Sequence, residues 1–299
     1  MNKKLLIKLE KKKTNNFKVQ PIFQNNKDRF LLDDFLIKQK SLNKNEVMAI
    51  LEVNFLKNRP IGYVLIDDQK KIIGFLGTIF SKRALKERTV EHCYLHSWVV
   101  FEKYRLEAFK LIIPVIKKDI FISTYSPIKS LEGLYKKFGF EENFFFSKFV
   151  MLFPFFKLKE NNVILNEDST LFSKYLTYEN KIFLKDHKTT NTKKIFIYFD
   201  ENINNNIFII VKKSIKKSFL PVLEIIYISD LSKFKFYEKK ITFELIKKFN
   251  TLFFKFNYFG EKDVLFESCL FKKIIKKNVY YLNKPKDFNF DVLYSEFLG

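Results

Sequence analysis

Apolar residues recur at helical spacing in two stretches near the start, "DRFLLDDFLIKQK" (Asp28 to Lys40) and "KNEVMAILEVNFLKN" (Lys44 to Asn58), and each predicts a helix. The pattern then changes to apolar runs. "IGYVLIDDQKKIIGFLGTIFSKR" (Ile61 to Arg83) holds two of them on either side of the polar tip Asp67-Asp68-Gln69-Lys70, which predicts an antiparallel hairpin. "HCYLHSWVV" (His92 to Val100) predicts a further strand. "EKYRLEAFKLIIPVIKK" (Glu102 to Lys118) predicts a helix with Phe109, Ile112, Ile113 and Ile116 on one face. Pro114 lacks a backbone donor and should kink or shorten its last turns. A strand "IFISTYS" follows, then Ser126-Pro127 as a helix start, with Ser as cap and Pro at the first helical position. Ile128, Leu131, Leu134, Tyr135 and Phe138 make the apolar face of that helix, Gly139 ends it, and "FEENFFFSKFVMLF" from Phe140 predicts another strand. This order is that of a mixed α/β domain closing near residue 156.

The second half turns polar from about Asn161, and "DHKTTNTKK" (Asp186 to Lys194) reads as a surface loop that carries the Asp186-His187 pair. Strand-like runs "IFIYFD", "NIFIIVKK" and "PVLEIIYISD" come next, followed by a helix over Ile241 to Phe256 and then "DVLFESC" and "NVYYL". Hairpin, strand, helix and strand thus occur in the order of the first half, so a degenerate second copy is expected over residues 157–299 after a first domain over 1–156.

Composition limits the chemistry. Of 299 residues, 47% are hydrophobic, enough for a sizeable core. The two cysteines, Cys93 and Cys269, form no CxxC, and the three histidines are scattered, so a disulfide framework or a metal cluster is not expected and a reducing compartment is the simpler reading. The formal net charge of +22 would suit nucleic acid or an anionic membrane surface, yet Lys, Asn, Phe and Ile are abundant throughout, as an A/T-rich coding bias alone produces. The basic run "KKLLIKLEKKK" lacks the apolar core and cleavage site of a secretory signal, and "FVMLFPFF", with Pro154 inside it, is too short to span a bilayer. A soluble, cytoplasmic protein without a membrane span is expected.

The tail Leu134-Tyr135-Lys136-Lys137-Phe138-Gly139-Phe140, following Tyr104-Arg105 and a hairpin, resembles the GNAT acyl-CoA-dependent acyltransferase superfamily, whose members carry "Y-R-G-x-G-x-G" and "L-Y-E-K-x-G-F" motifs at these places. The first motif departs here, with Ala108 and Lys110 where small or glycine residues are usual. Ser97-Trp98 and the terminal "FDVLYSEFLG" resemble a glycine-poor branch found among bacterial surface-polysaccharide genes. The resemblance implies a mostly antiparallel sheet flanked by helices, with acetyl-CoA or another acyl-CoA as co-substrate. It implies a cofactor site along Trp98, Val99 and Val100 and over Arg105, Ala108, Phe109 and Lys110, where helix-start amides hold the pyrophosphate. It makes Tyr135 the candidate acid for the leaving thiolate, and His96 is the candidate base by its intrinsic pKa. Thr124 and Ser126 stand where they would orient substrate or cap. On this reading an amine or hydroxyl of a small molecule or sugar attacks the thioester directly. A non-catalytic scaffold of the same fold is the alternative, and a nucleic-acid-binding protein fits less well because the lysines are spread evenly.

Overall fold

The structure, a computed structural model, describes residues 17–25, 29–40, 47, 51, 53, 55–85, 88–125, 127, 129–152, 163–187, 192–199, 202–216, 219–259, 265–266, 269–286 and 288. The basic start, most of the helix expected over Lys44 to Asn58, the Ser126 cap and the segment from Phe290 to Gly299 lie outside these residues. Among the described residues the chain divides into two compact units, one holding those up to Asn143 together with Asn278–Phe288, the other holding Phe144–Lys277.

The first unit runs β1 (Lys18–Ile22), α1 (Arg29–Lys40), β2 (Gly62–Ile66), β3 (Ile72–Leu85), β4 (Arg88–Val100), a 3₁₀ segment (Glu102–Leu111), α2 (Ile113–Ile116), β5 (Phe121–Thr124) and α3 (Glu132–Lys137). Its strands β1 to β4 are successive antiparallel neighbours, β4 and β5 are parallel, and the end of a late strand lies antiparallel beside β5. The strand β1 has no counterpart among the sequence expectations because Pro21 interrupts it; proline is tolerated there because β1 is an edge strand. At the expected hairpin tip, Asp67 Oδ1 accepts the N–H groups of Gln69 and Lys71 at 3.0 and 2.9 Å, a side-chain turn that pins the β2–β3 register.

The single helix expected over Glu102 to Lys118 is two pieces. The 3₁₀ winding of Glu102–Leu111 places residues three apart above one another, which pairs Glu102 with Arg105 and Glu107 with Lys110 and turns Ala108 and Leu111 into the core. Pro114 then sits in the first turn of α2, where its missing donor costs nothing, and so the break falls just ahead of it. Two apolar layers form on the sheet. One gathers Leu95, Trp98, Leu111, Ile112, Tyr135 and Phe138; the other packs Leu32, Phe35 and Leu36 of α1 against Val64 and Phe75. Each fully buried Phe contributes roughly 1.5–3 kcal/mol.

The second unit contains β6 (Glu141–Met151, from Phe144 onward), β7 (Val163–Asn166), α4 (Ser169–Phe172), α5 (Tyr178–Asp186), β8 (Lys193–Phe199), β9 (Asn202–Lys216), β10 (Leu220–Ile228), α6 (Leu231–Phe236), α7 (Glu238–Phe249), β11 (Phe253–Phe259) and β12 (Phe271–Leu282, to Lys277). Strands β7 to β10 are antiparallel neighbours, β10 and β11 are parallel, and β6 lies antiparallel beside β11. The two units therefore share a topology in which each fills its last place with a strand from the other half of the sequence: β12 beside β5, β6 beside β11. The division of contacts passes through β6 at Asn143, whereas the hydrophobic pattern places the change near residue 156.

Two further expectations are corrected. The helix drawn over Ile241 to Phe256 ends at Phe249, because Asn250 takes a left-handed conformation (φ 49°) and Phe253 onward enters β11. The Asp186-His187 pair is not an exposed loop pair: His187 closes α5, its N–H bonded to Phe183 O at 3.0 Å, and its ring is buried.

Lys148 of β6 is 1% exposed, and its ammonium donates to the carbonyls of Leu265 and Phe266, the latter at 3.1 Å. Phe266 is itself left-handed (φ 57°) and its N–H donates to Glu238 Oε2 at 2.8 Å, so the lysine fixes a strained turn. Replacing it with methionine keeps the volume and strands both carbonyls. Lys148→Met is expected to lower stability by about 2–3 kcal/mol in chemical denaturation, and an unchanged midpoint would show that those carbonyls find other donors.

Candidate functional site

The parallel pairing of β4 with β5 covers three residue pairs, His92 with Phe121, Cys93 with Ile122 and Tyr94 with Ser123. β5 ends at Thr124, while β4 runs on through Val100 beside β3. Along that continuation the register with β3 passes from Gly77 opposite His96 to Phe75 opposite Val99, so β4 carries one extra residue. This bulge centres on Ser97, whose φ of 48° is unusual for a residue with a Cβ and costs on the order of 1–3 kcal/mol. Strain of this kind bends the strand and re-aims its side chains just where β4 parts from β5.

Trp98 and Tyr135 meet at the parting. Tyr135 of α3 lies in the same apolar layer as Trp98, with ring centroids 5.6 Å apart, and it packs on Phe140 at 5.2 Å. Tyr280 of β12 stacks on its other side at 5.4 Å. Burial raises the Tyr135 phenol well above its ordinary range, against the opposing effect of a side-chain hydrogen bond with Thr124 at the end of β5. The group therefore keeps its proton through the neutral range. Tyr280 lies 145 residues from Tyr135 in sequence, so no local signal points to it, and Thr124 was legible only as a polar residue ending a strand.

His96 lies on the opposite face of β4. Its imidazole covers Gly77, where a Cβ would come within 2.2 Å of Cε1 and 2.5 Å of each ring nitrogen, so the ring lies flat on β3 only because residue 77 is glycine. A glycine inside a strand, here one of two in β3, was the available sequence signal for a close approach. The structure thus brings Tyr135 to Trp98 and Thr124, and it separates His96 from Tyr135 by the thickness of the sheet.

Val99 pairs with Phe75 and packs toward α1, and Val100 pairs with Gly74 and packs toward Trp98's layer. Beyond them the chain enters the 3₁₀ segment, where no side chain caps the first turn. Arg105 is 71% exposed and pairs loosely with Glu102 at 3.4 Å. Ala108 is buried, Phe109 is half-buried against the core, and Lys110 pairs with Glu107 at 2.7 Å and lies over Phe17. Burial also holds the Cys93 thiol well above its ordinary range, which makes it a poor nucleophile.

His92 shares the His96 face. It is fully buried between Tyr94 and Phe121, each ring 3.8 Å away, and its Nε2 lies 2.8 Å from Ser123 Oγ. Burial, and secondarily the Arg83 guanidinium, hold its pKa well below 6.5.

The second unit repeats the arrangement with one difference. β10 carries an extra residue opposite β9 between Ile225 and Tyr227, and it pairs in parallel with β11. The helix that follows, however, is capped by a carboxylate: Asp230 Oδ1 accepts the N–H of Lys233 at 2.8 Å.

No protein-family model matches the chain, and no curated protein matches it by sequence. Solved structures do match. A GCN5-related N-acetyltransferase from Anabaena variabilis superposes with a TM-score of 0.63 at 12% identity, covering 89% of this chain and 72% of that one. One from Kribbella flavida gives 0.60 at 11%, covering 90% and 71%. N-myristoyltransferase of Saccharomyces cerevisiae with bound myristoyl-CoA and inhibitors gives 0.54 at 11%, covering 92% and 84%. The chain therefore has a GNAT-like fold, a mixed α/β architecture built on a large, mostly antiparallel sheet flanked by helices.

The buried state of His92 has a pH consequence. The unfolded chain takes up a proton near pH 6.5 and the folded chain does not, so this histidine's contribution is present above about pH 6.5 and is lost as pH falls. Wherever the folded histidine stays neutral and the unfolded one is charged, the loss is about 1.4 kcal/mol per pH unit. His92→Gln should flatten that part of the stability profile, measured by denaturation across this range; equal slopes in the two proteins would mean that His92 is protonated in the fold.

Proposed function

We propose that the chain is an acyl-CoA-dependent acyltransferase that moves an acetyl group from acetyl-CoA to an amine or hydroxyl of a small molecule or sugar. The observation that carries this reading is in the first unit: β4 parts from β5 after Tyr94, and the chain leaving β4 enters a helical segment whose first turn has no side-chain cap. A parted strand pair offers backbone groups to an extended pantetheine-like arm, and an uncapped helical start offers amides and a favourable dipole to a pyrophosphate. In the second unit Asp230 caps the corresponding start and accepts the N–H of Lys233, so an amide there is already taken and the second unit is read as support rather than as a second cofactor site. The matched structures, an N-acetyltransferase and an N-myristoyltransferase with bound myristoyl-CoA, support this reading.

On this reading the acceptor nitrogen or oxygen attacks the thioester carbon, the carbon–sulfur bond breaks, and the acyl group leaves coenzyme A. Backbone N–H groups of Trp98 to Val100 stabilise the oxyanion. Tyr135, kept protonated by burial, gives its proton to the departing thiolate, and the acceptor's proton passes to water, since His96 lies on the other face of β4. Attack is direct, since the buried Cys93 thiol holds its proton. Arg105, an exposed cation of the 3₁₀ segment, reaches the phosphates, while Lys110 is already paired with Glu107.

Titration calorimetry should show acetyl-CoA binding to the wild type, with Arg105→Glu weakening it about tenfold through loss and reversal of one phosphate-facing charge. No heat at saturating acetyl-CoA would leave the non-catalytic form of this fold as the better account. Tyr135→Phe should lower turnover by about 10²-fold with acetyl-CoA affinity nearly intact. Unchanged turnover would make Tyr135 a packing residue alone.

A further inference from the structure

Two segments of the second unit share a six-residue pattern, Lys212-Lys213-Ser214-Ile215-Lys216-Lys217 and Lys272-Lys273-Ile274-Ile275-Lys276-Lys277. Neither pattern nor its immediate apolar neighbours, Phe219 and Leu270-Phe271, contains a carboxylate, although the chain as a whole carries 33. The fold brings the two together at one end of the second unit's sheet. Lys216 pairs with Leu220 at the head of β10. Thr251 Oγ1 donates to Pro221 O at 2.6 Å, and Leu152 N–H donates to Leu252 O at 2.9 Å. Leu270 N–H in turn donates to Met151 O at 3.0 Å, which closes the chain of contacts along that end.

Large apolar side chains point outward there. Phe219 is 76% exposed, Ile215 67%, Leu270 58% and Phe271 53%. The residues of β12 from Phe271 to Lys277 are exposed, with Lys276 and Lys277 lying over the rings of Phe144 and Phe145. Burial, then Lys255, and further on Lys216 disfavour the charged form of Lys277, with Glu224 opposing them.

The chemistry selects among anionic partners. Protein interfaces are depleted in lysine at their centres, whereas here lysines alternate with the apolar groups along both segments. Single-stranded nucleic acid is held by aromatic and guanidinium faces, but half of these exposed groups are aliphatic and neither segment contains an arginine. An anionic bilayer surface takes both kinds of group, with apolar tips in the acyl boundary and long lysine stems reaching back to the headgroups. We propose that this end of the second unit is a docking surface for anionic lipid. Phe219, Ile215, Leu270 and Phe271 enter the bilayer boundary, and the flanking lysines meet the phosphates. The surface makes the chain peripheral to a membrane.

The full chain should co-sediment with vesicles of phosphatidylcholine containing roughly a third phosphatidylglycerol and remain free with phosphatidylcholine alone. Binding should be lost at about 1 M salt, where the screening length is about 3 Å. Lys272→Gln with Lys273→Gln should weaken it about fivefold per lysine, and Phe219→Ser with Phe271→Ser should abolish it while leaving the melting temperature unchanged, since both rings are exposed. Three results overturn the proposal: no difference between the two vesicle types, full binding by the Phe219→Ser, Phe271→Ser protein, or capture of a single-stranded oligonucleotide without capture of vesicles. A self-association lost in the serine variant, with no vesicle binding, would assign the surface to a second copy of the chain and equally refute it. None of these outcomes depends on acetyl-CoA binding, so the acyltransferase reading stands or falls separately.

Discussion

The short parallel pairing between β4 and β5 is the constraint on which the first unit depends. Three residue pairs hold the strands together, and beyond Tyr94 the extra residue at Ser97 bends β4 along β3 instead. The strain at Ser97 is maintained by packing on both sides of the sheet: Trp98 is locked among aromatic rings on one face, and His96 is laid over Gly77 on the other. Were the pairing to continue, the backbone groups past Tyr94 would be consumed in a ladder and the parting would close. The bulge thus carries β4 on beside β3 after its pairing with β5 has ended.

The second unit shows which parts of this arrangement are scaffold and which are site. It repeats the antiparallel run, the bulged strand, the helical crossover and the parallel neighbour. What differs is chemistry at one position, the start of the crossover, where Asp230 satisfies an amide that the first unit leaves without a side-chain cap. The exchange of last strands, β12 to the first unit and β6 to the second, further means that Tyr280, which completes the packing around Tyr135, comes from the far end of the sequence.

Tyr135 illustrates how fold and chemistry overlap at one residue. Its ring serves the core, stacked on Tyr280 and edge-on to Trp98, while its hydroxyl is held by Thr124 at the end of β5. Burial raises the phenol's pKa further above neutrality, and the hydrogen bond with Thr124 opposes that rise.

Local pattern was enough to read most elements from the sequence. The β2–β3 hairpin, β4, the helix ending at Gly139 and the strands of the second half follow from alternation, helical spacing and turn residues, all of which act within a few positions. The motif ending in Gly139 also carried the resemblance to acyltransferases. Where the sequence misled, a single residue's backbone preference outweighed the apolar pattern: Pro114 divided one helix, Asn250 ended another before Phe253, and Pro21 hid an edge strand. The parting of β4 from β5, the covering of Gly77 by His96 and the arrival of Tyr280 and Thr124 at Tyr135 were decided by tertiary structure, because each joins groups that are distant in sequence and whose contact no periodicity encodes. The same holds for the two lysine–isoleucine segments, alike as letters but brought to one end of a sheet only by the pairing of strands between them.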